Sequence, residues 1–518
     1  MGINIYVFYF HVVPEFQSHC PRGCSCHMCL RIQAMSYSKA GMTLCFPLNT
    51  RLSTSCPTQV ESALTEQHGC QTVLPRVPYK WPLALDLLKV QFQAYVSGHS
   101  LEVLTPYITI APTIRLELWG VTGYITTDRE NIHAILSTRF EDYGLGTRTL
   151  ALFPFLGDGI FTQERSAWKR SRELMKRQFM RVQKECSQNL MSNIEDLVST
   201  LRNAAAESDV VDLKPHLYDF TLGTTTKFLF CESLSALPKD ERNAFRDAFD
   251  YASWVCGMRV RLADLASLCN TAKFRKACRV VKNVAGYFLD RALKHEAEFG
   301  EDEVFKKYTF IMELWSEMDD IARVRDQLLH VLLAGRDTTA CLLSWIFFHL
   351  VQNPDILQRL QQEISTIPNS ADITRKQIQD LPFLRCCLNE TLRLYPQLPL
   401  NLRYANKATV LPRGGGLDGL APVLIPKGSG VGWSAYHLHR NEPLYGPDAH
   451  LYNPQRWESG ELMKRVRPGS GLLDFGGGPR VCLGSTGEYV NVSLLPDEHI
   501  LADKKQKISR LCRLVVRL

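Results

Sequence analysis

Phe475-Gly476-Gly477-Gly478-Pro479-Arg480-Val481-Cys482-Leu483-Gly484 is the stretch that decides how this 518-residue chain folds. It sets one cysteine, Cys482, in a loop of small residues, bare enough for a flat cofactor to approach the backbone. A thiolate that ligates a metal needs nearby backbone N–H donors, little steric bulk and exclusion of water. Gly476, Gly477, Gly478 and Gly484 supply the bare backbone, and Pro479 stiffens it. Arg480, two positions before the cysteine, is a cation able to meet an acidic group of the cofactor. A glycine-rich turn with an incidental cysteine is the alternative for this stretch taken alone, so the rest of the chain must arbitrate.

Upstream, the segment from about Ile321 to Gln352 is apolar nearly all round and predicts a helix running through the core. Its centre breaks that pattern with Ala334-Gly335-Arg336-Asp337-Thr338-Thr339. Threonine hydroxyls bond the carbonyls of the preceding turn and bend helices, so a local widening is expected here. Such a groove suits a diatomic ligand and water, with Asp337 passing protons inward and the Thr338 hydroxyl donating to the ligand. The bland alternative is a kinked core helix with a satisfied acid.

Two further segments carry charge in telling places. Glu390 and Arg393 lie three apart in the predicted helix Pro382–Leu394 and share one face. Arg456 offers a second guanidinium from a distant loop; one carboxylate between two guanidiniums is a buried structural clamp, whereas an isolated pair is a surface feature. Trp168 and Arg172 sit four apart on another helix. With Arg403 and Arg480 they are candidates to neutralise two carboxylates of a cofactor. For Arg172 alone, a solvated helix face is the commoner outcome.

Composition narrows the class. With 45% hydrophobic and 22% charged residues the chain has an ordinary globular core, which excludes a disordered or multi-span membrane protein. A net charge of +7 from scattered basic residues speaks against nucleic acid as partner and is compatible with an acidic protein or an anionic membrane surface. Seventeen cysteines, an odd number without a framework of spacings from Cys186 onward, fit a reducing compartment. Cys20, Cys24, Cys26, His27 and Cys29 have metal-ligand spacing but no second paired knuckle. The apolar run Gly2–Val13 is shorter than the ~20 residues a bilayer span requires and lacks a basic flank.

Along the chain, residues 1–67 show no sustained periodicity and read as a poorly ordered leader. Thr113–Trp119 and Tyr124–Thr127 predict a hairpin, with Asp128 or Asn131 capping the short helix that follows. Ser166 to His349 is mainly helical in pattern, with a charged interruption around Pro238–Arg242. Thr409–Leu411 and Val423–Ile425 suggest a second small β region around Gly414-Gly415-Gly416. The fold class is mainly α with a minor β region (α+β), in one large domain over residues 68–484.

In their order and spacing the four elements resemble the cytochrome P450 family: Trp168-x-x-x-Arg172, Ala334-Gly335-Arg336-Asp337-Thr338-Thr339, Glu390-x-x-Arg393 and the Cys482 loop. Within it the chain is most similar to the fungal microsomal enzymes that oxidise n-alkanes and fatty acids. The residues carrying that likeness are Leu145-Gly146, Gly157-Asp158-Gly159-Ile160-Phe161-Thr162, Trp168-Lys169, Leu411 to Gly416, His439-Arg440 and Tyr445 to Ala449. The resemblance implies the P450 fold, with haem b (iron protoporphyrin IX) between the long central helix and the cysteine loop. It implies Cys482 as axial thiolate, Trp168, Arg172, Arg403, Phe475, Arg480 and Gly484 as cofactor contacts, and Asp337 and Thr338 as catalytic residues. It further implies O2 and an alkane or fatty acid as substrates, and electrons from NADPH through a separate cytochrome P450 reductase. The place implied is the cytosolic face of the endoplasmic reticulum membrane, although the sequence contains no spanning helix, so a soluble form is also compatible. Animal fatty-acid ω-hydroxylases often carry glutamate where this chain has Ala334, so a haem ester is not expected.

Both ends depart from the family pattern. Ser485-Thr486-Gly487-Glu488-Tyr489-Val490-Asn491-Val492 lacks a helical apolar stripe where a long helix is expected, so residues 485–518 read as an atypical tail. Two other readings therefore stand beside a monooxygenase at this stage. One is a truncated product that cannot hold haem. The other is a haem-thiolate enzyme of another reaction type, against which the pair Asp337 and Thr338 argues.

Overall fold

The computed structural model describes residues 57–484, apart from 74, 119–120, 183–186, 208–210, 368–376 and 378–379. The N-terminal cysteine cluster, the apolar run Gly2–Val13 and the tail 485–518 lie outside the described residues.

The first described helix, α1 (Gln59–His68), occupies the end of the segment that reads as aperiodic. Its cause is local. The Thr58 hydroxyl accepts the Glu61 N–H while the Glu61 carboxylate accepts the Thr58 N–H, a reciprocal cap that needs no apolar stripe. After α2 (Leu85–Ser97) come β1 (Thr113–Leu118) and β2 (Val121–Thr126), the predicted antiparallel hairpin, with Gly123 inside β2. Asp128 caps α3 (Arg129–His133) by accepting the N–H groups of Glu130 and Asn131. Asn131, the other candidate cap, is fully buried instead. Its side-chain amide donates to the Arg413 carbonyl and accepts the Arg413 N–H, both at 2.9 Å, and so pins α3 to the second β region.

The five-stranded sheet has the order β1-β2-β7-β4-β3, with β3 (Tyr143–Gly144), β4 (Leu400–Ala405) and β7 (Gly430–Ser434). β2 and β7 run parallel, and the other pairs are antiparallel. A separate hairpin of β5 (Thr409–Gly415) and β6 (Ala421–Ile425) is the second β region expected, with a register shift between Leu411 and Gly415.

The longer of the remaining helices are α4 (Arg148–Leu156), α5 (Arg165–Val182), α6 (Ser187–Glu207), α7 (Leu213–Phe230), α8 (Lys239–Leu262), α9 (Ala272–Phe299), α10 (Thr309–Met318), α11 (Ile321–Gln352), α12 (Pro354–Ile364) and α13 (Pro382–Leu394). The charged interruption expected at Pro238–Arg242 is instead the start of α8. Pro238 is its N-cap, and Asp240 and Glu241 fill its first turn, where negative charge suits the helix dipole. The actual break lies just upstream, between α7 and Pro238.

α11 has the predicted bounds and organises the molecule. Leu328, Leu329, Leu332 and Leu333 on its first half belong to one apolar core, shared with α8, α9 and α10. Leu342, Leu343, Ile346 and Leu350 on its second half belong to another, shared with α12 and α13. Each such side chain contributes roughly 1.5–3 kcal/mol on burial, before the entropy of ordering it. The polar turn Ala334–Thr339 falls at the junction between the two cores, and the expected widening is absent: the helix is α throughout. Gly335 has a packing role. A Cβ there would stand 2.8 Å from the Thr225 hydroxyl of α7, so glycine lets the two helices cross closely.

Candidate active site

The cysteine loop is held in shape by its own backbone. Gly478 has φ +64°, and a Cβ on it would lie 1.7 Å from the Leu136 carbonyl oxygen, so no other residue fits. Pro479 follows in a single 3-10 turn, Gly478–Arg480. The Val481 N–H then bonds the Gly478 carbonyl, and the Cys482 N–H bonds the Phe475 carbonyl, each at 3.0 Å. This closes the loop with the half-buried Cys482 at its edge. Gly484 lies beside the sulfur, 3.6 Å from Cys482 Sγ to its built Cβ position, and Phe475 packs on the second core.

Arg480 turns inward. Its guanidinium lies 4.2 Å from the centre of the Trp168 ring, and Nη2 donates to the Gln163 carbonyl at 3.0 Å. Arg172 stands over the same ring at 5.9 Å, so it is not the solvated cation that its spacing alone suggests. Trp168 Nε1, Arg172 Nη1 and Arg480 Nη1 are all buried without an acceptor among the described residues. Buried donors of this kind are rare and call for a ligand. Burial lowers the pKa of Arg172, and the charge of the Cys482 sulfur works in the other direction.

Arg403 is nearly fully buried and donates to the Leu402 carbonyl at 2.9 Å. Its pKa is held well below the ordinary value by burial, then by the charges of Arg148 and Arg480. Burial likewise brings Arg480 and Arg148 down to about 10. Arg148 was not singled out from the sequence. It donates to Asn401 Oδ1 and to the Leu402 carbonyl, on β4, at 2.8 and 2.7 Å. The available signal was one basic residue opening the apolar stretch Thr149-Leu150-Ala151-Leu152-Phe153. Arg148, Arg403 and Arg480 thus share a buried region with the half-buried Arg172 beside it, and the carboxylate that offsets their charge is Glu164. Paired carboxylates would relieve both their repulsion and their missing acceptors, so these residues fit the two acidic arms of an iron porphyrin whose metal meets Cys482.

The central turn forms a second group. Thr338 Oγ1 donates to the Ala334 carbonyl at 2.6 Å. Asp337 is buried and bonded by Arg336 Nη1 at 3.2 Å. The same guanidinium meets Asp250 of α8 at 2.5 Å and stands over the rings of Tyr218 and Phe249. Burial opposes its charge, but the Asp250 and Asp337 carboxylates outweigh that and raise its pKa. Ala334 and Leu483, the neighbour of Cys482, pack against the same apolar core.

A polar seam joins the two groups. Asp326 Oδ2 accepts the Asp158 N–H at 3.0 Å, Gln327 Oε1 the Ile160 N–H at 3.3 Å, and His330 Nδ1 the Phe161 N–H at 3.1 Å. Gln327 also donates to Ser171, which donates to the Gln163 side chain, and the Gln163 carbonyl receives Arg480. Segment 157–163 is therefore a bracket between α11, α5 and the cysteine loop. A Cβ on Gly159 would stand 2.4 Å from the His330 ring.

Glu390 proves to be the buried clamp and no surface pair. Its carboxylate takes Arg393 Nε and Nη2 at 2.8 Å each, Arg456 Nε at 2.9 Å, the Trp457 indole N–H at 2.9 Å and the Asn453 N–H at 2.9 Å. Every lone pair is occupied, which leaves it no chemistry to perform.

Comparison with known proteins gives concordant results. The family model for cytochrome P450 matches residues 75–486. A protein named cytochrome P450 from Arthroderma benhamiae is 38% identical over 431 residues, covering 80% of this chain and 81% of its own length. Cytochrome P450 52A13 of Debaryomyces hansenii is 36% identical, covering 80% and 82%. Cytochrome P450 52A5 of Candida maltosa is 38% identical, covering 74% and 76%.

Proposed function

This chain belongs to the cytochrome P450 family, a haem-thiolate monooxygenase with haem b as cofactor, and from that premise we propose that it hydroxylates the terminal carbon of an n-alkane or fatty acid. The reaction is R–H + O2 + NADPH + H+ → R–OH + H2O + NADP+. The observation that supports the site is the set of buried, acceptor-free donors around the Trp168 ring, beside the cysteine loop. Support for the substrate comes from the likeness to the fungal enzymes in the 157–162 and 411–416 segments and from the 52A relatives.

In this reading Cys482 would supply the thiolate that holds the haem iron. Arg148, Arg172, Arg403, Arg480 and Trp168 would hold the two propionates, Phe475 would help to line the cofactor site, and Gly484 keeps the sulfur accessible. When bound, the haem supplies oxygen activation, to which the thiolate contributes electron density. Arg336 fixes the Asp337 carboxylate, which carries protons inward from the half-exposed Asp250 side of α11. Thr338 Oγ1, held against Ala334, would be the hydroxyl offered to O2. With alanine at 334 the haem stays free of an ester link.

The electron donor is the NADPH-dependent P450 reductase. Arg165, Lys169, Arg170, Lys176 and Arg177 form an exposed basic face on α5, the helix that carries Trp168 and Arg172, and suit an acidic flavoprotein surface. The place is the cytosolic face of the endoplasmic reticulum. Trp81, Leu83, Phe92 and Ile110 are exposed on and around α2, and Leu268 between α8 and α9 is exposed as well. α2 reaches the same end of α8 through the Tyr95 hydroxyl on the Trp254 carbonyl at 3.0 Å, an apolar rim suited to lipid. Among the described residues the one helix long and apolar enough to cross a bilayer is α11, and it lies in the core.

The deciding experiment is the spectrum of the reduced, carbon-monoxide-bound protein, followed by turnover of dodecane and lauric acid with reductase and NADPH. A thiolate-type Soret band and terminal alcohols are expected. Well-folded protein with no such band would overturn the ligand assignment, and subterminal or no products would overturn the substrate. Acid–acetone should extract all the haem; retained haem would contradict the unesterified site.

A further inference from the structure

One buried imidazole, His439, lies between the Glu390 clamp and the cysteine loop and has no part in the steps above. Its Nδ1 is 2.9 Å from the Arg393 carbonyl oxygen, and its Nε2 accepts the Leu473 N–H at 2.8 Å. A carbonyl only accepts and an amide only donates, so the ring is the neutral Nδ1–H tautomer with both nitrogens engaged. Burial, with the Arg393 and Arg440 charges beside it, pushes its pKa down to about 3, in keeping with that state.

The two ends of this imidazole join different things. Arg393 is the guanidinium that grips Glu390, and its Nη1 also donates to the carbonyls of His439 and Ala449. Leu473 lies two residues before Phe475, whose carbonyl receives the Cys482 N–H. A second strut runs parallel: the Tyr445 hydroxyl donates to the Gly471 carbonyl at 2.8 Å, and the Tyr445 ring lies 5.2 Å from the Arg393 guanidinium. The backbone entering the cysteine loop is thus suspended from the clamp by side chains, with His439 nearest the loop.

We propose that His439 is a positioning residue for Cys482: its Nε2 bond to Leu473 carries the rigidity of the Glu390–Arg393 clamp into the loop and keeps the sulfur on the haem iron. This rests on the reading of Cys482 as axial ligand. A backbone displacement of about an ångström at a ligand is enough to weaken it, which is why supporting hydrogen bonds matter at metal sites.

Two substitutions separate positioning from mere stability. In His439→Gln the side-chain oxygen takes the place of Nε2 and keeps the Leu473 bond, while Arg393 loses its partner. In His439→Asn the side-chain nitrogen takes the place of Nδ1 and keeps the Arg393 bond, while Leu473 loses its partner. Each loses one buried hydrogen bond, so similar drops in thermal midpoint are expected. The reduced, carbon-monoxide-bound holoproteins should differ. His439→Gln retains the thiolate-type Soret band, and His439→Asn converts to the thiolate-free form at least several-fold faster on mild warming. Equal conversion, or faster conversion in His439→Gln, overturns the proposal. A wild type with no thiolate-type band removes the ligand assignment and the proposal with it, an outcome distinct from failure of the variants. Should neither variant fold, amide exchange in the wild-type holoprotein decides. Leu473 should be protected as strongly as the amides of α13, and exchange at the rate of an unbonded surface amide overturns the inference.

Discussion

Three arginines buried around one site, with a half-buried fourth beside them, make an unusual residue-scale problem, because burial and mutual repulsion both act against them without an anion. The sign of a substitution should therefore depend on the cofactor. Arg480→Met is expected to leave the haem-free protein as stable as the wild type or more so, while the loaded protein loses haem faster. A charged hydrogen bond is worth about 1.5–3 kcal/mol, or roughly tenfold to a hundredfold in release rate. Haem transfer to an excess of apomyoglobin, alongside urea unfolding of the apoprotein, measures both; a destabilised apoprotein with unchanged haem release would contradict the site. His330 gives a second case. Burial lowers its pKa to about 3 against an ordinary 6.5, so the unfolded chain binds the proton first as pH falls. Stability from this group is complete above pH 6.5 and declines toward pH 3, at about 1.4 kcal/mol per pH unit. His330→Asn keeps an acceptor for the Phe161 N–H without titrating. Its urea midpoints at pH 7 and pH 5 should differ less than those of the wild type. Residues such as Cys482, Trp168 and Arg393 are legible in the sequence because their partners sit at short, fixed spacings. Arg148 is not, since Asn401 and Leu402 lie more than 250 residues away and nothing local marks the meeting.

At the scale of elements, long apolar patterns translate directly and local chemistry decides the rest. α11 and α13 have the bounds that their apolar runs and terminal residues predict. α1 escapes such a reading because a capping box, without any buried residue, forms it. Pro238 is ambiguous in sequence, since a proline interrupts a helix or begins one, and only the acids behind it in the first turn settle the matter. At 334–339 the helix stays α where a widening is expected, and a feature invisible in one segment sits there: Gly335 is matched to Thr225 on α7 in a close crossing. The cysteine loop is an element as much as a site. Gly478→Ala would drive a Cβ into the Leu136 carbonyl at a positive φ, so the loop must move. The expected result is protein with native-like helix content by circular dichroism that binds haem weakly and lacks the thiolate-type band. The clamp gives the complementary prediction. Glu390→Gln leaves Arg393 and Arg456 buried with a poor acceptor, and breaking such a buried ion pair costs about 3–5 kcal/mol. A shift of less than about 1 kcal/mol in chemical unfolding would mean that the network is not structural.

At the scale of the whole molecule, the central helix joins two apolar cores, and the bracket 157–163 ties that helix to α5 and the cysteine loop, beside the basic face proposed to receive the reductase. α5 is both the inner wall, through Trp168 and Arg172, and the outer face, through Lys169, Arg170 and Arg177. Lys169 pairs with Glu141 at 3.5 Å and Arg177 with Glu317 at 2.8 Å, but both cations are more than half exposed and such pairs exchange readily for a partner's carboxylates. A reductase drawn to this face by charge should feel salt strongly, because the Debye length shrinks from about 10 Å at 0.1 M to about 3 Å at 1 M. Turnover with sub-saturating reductase should therefore fall several-fold as salt is raised. The double substitution Lys169→Glu with Arg170→Glu should raise the KM for reductase by about tenfold and reduce the salt dependence. Cumene hydroperoxide, which bypasses the reductase, separates docking from damage to the haem pocket. Peroxide-driven turnover unchanged by both salt and substitution assigns the effect to the encounter, whereas a parallel loss in both assays would remove α5 from the docking face.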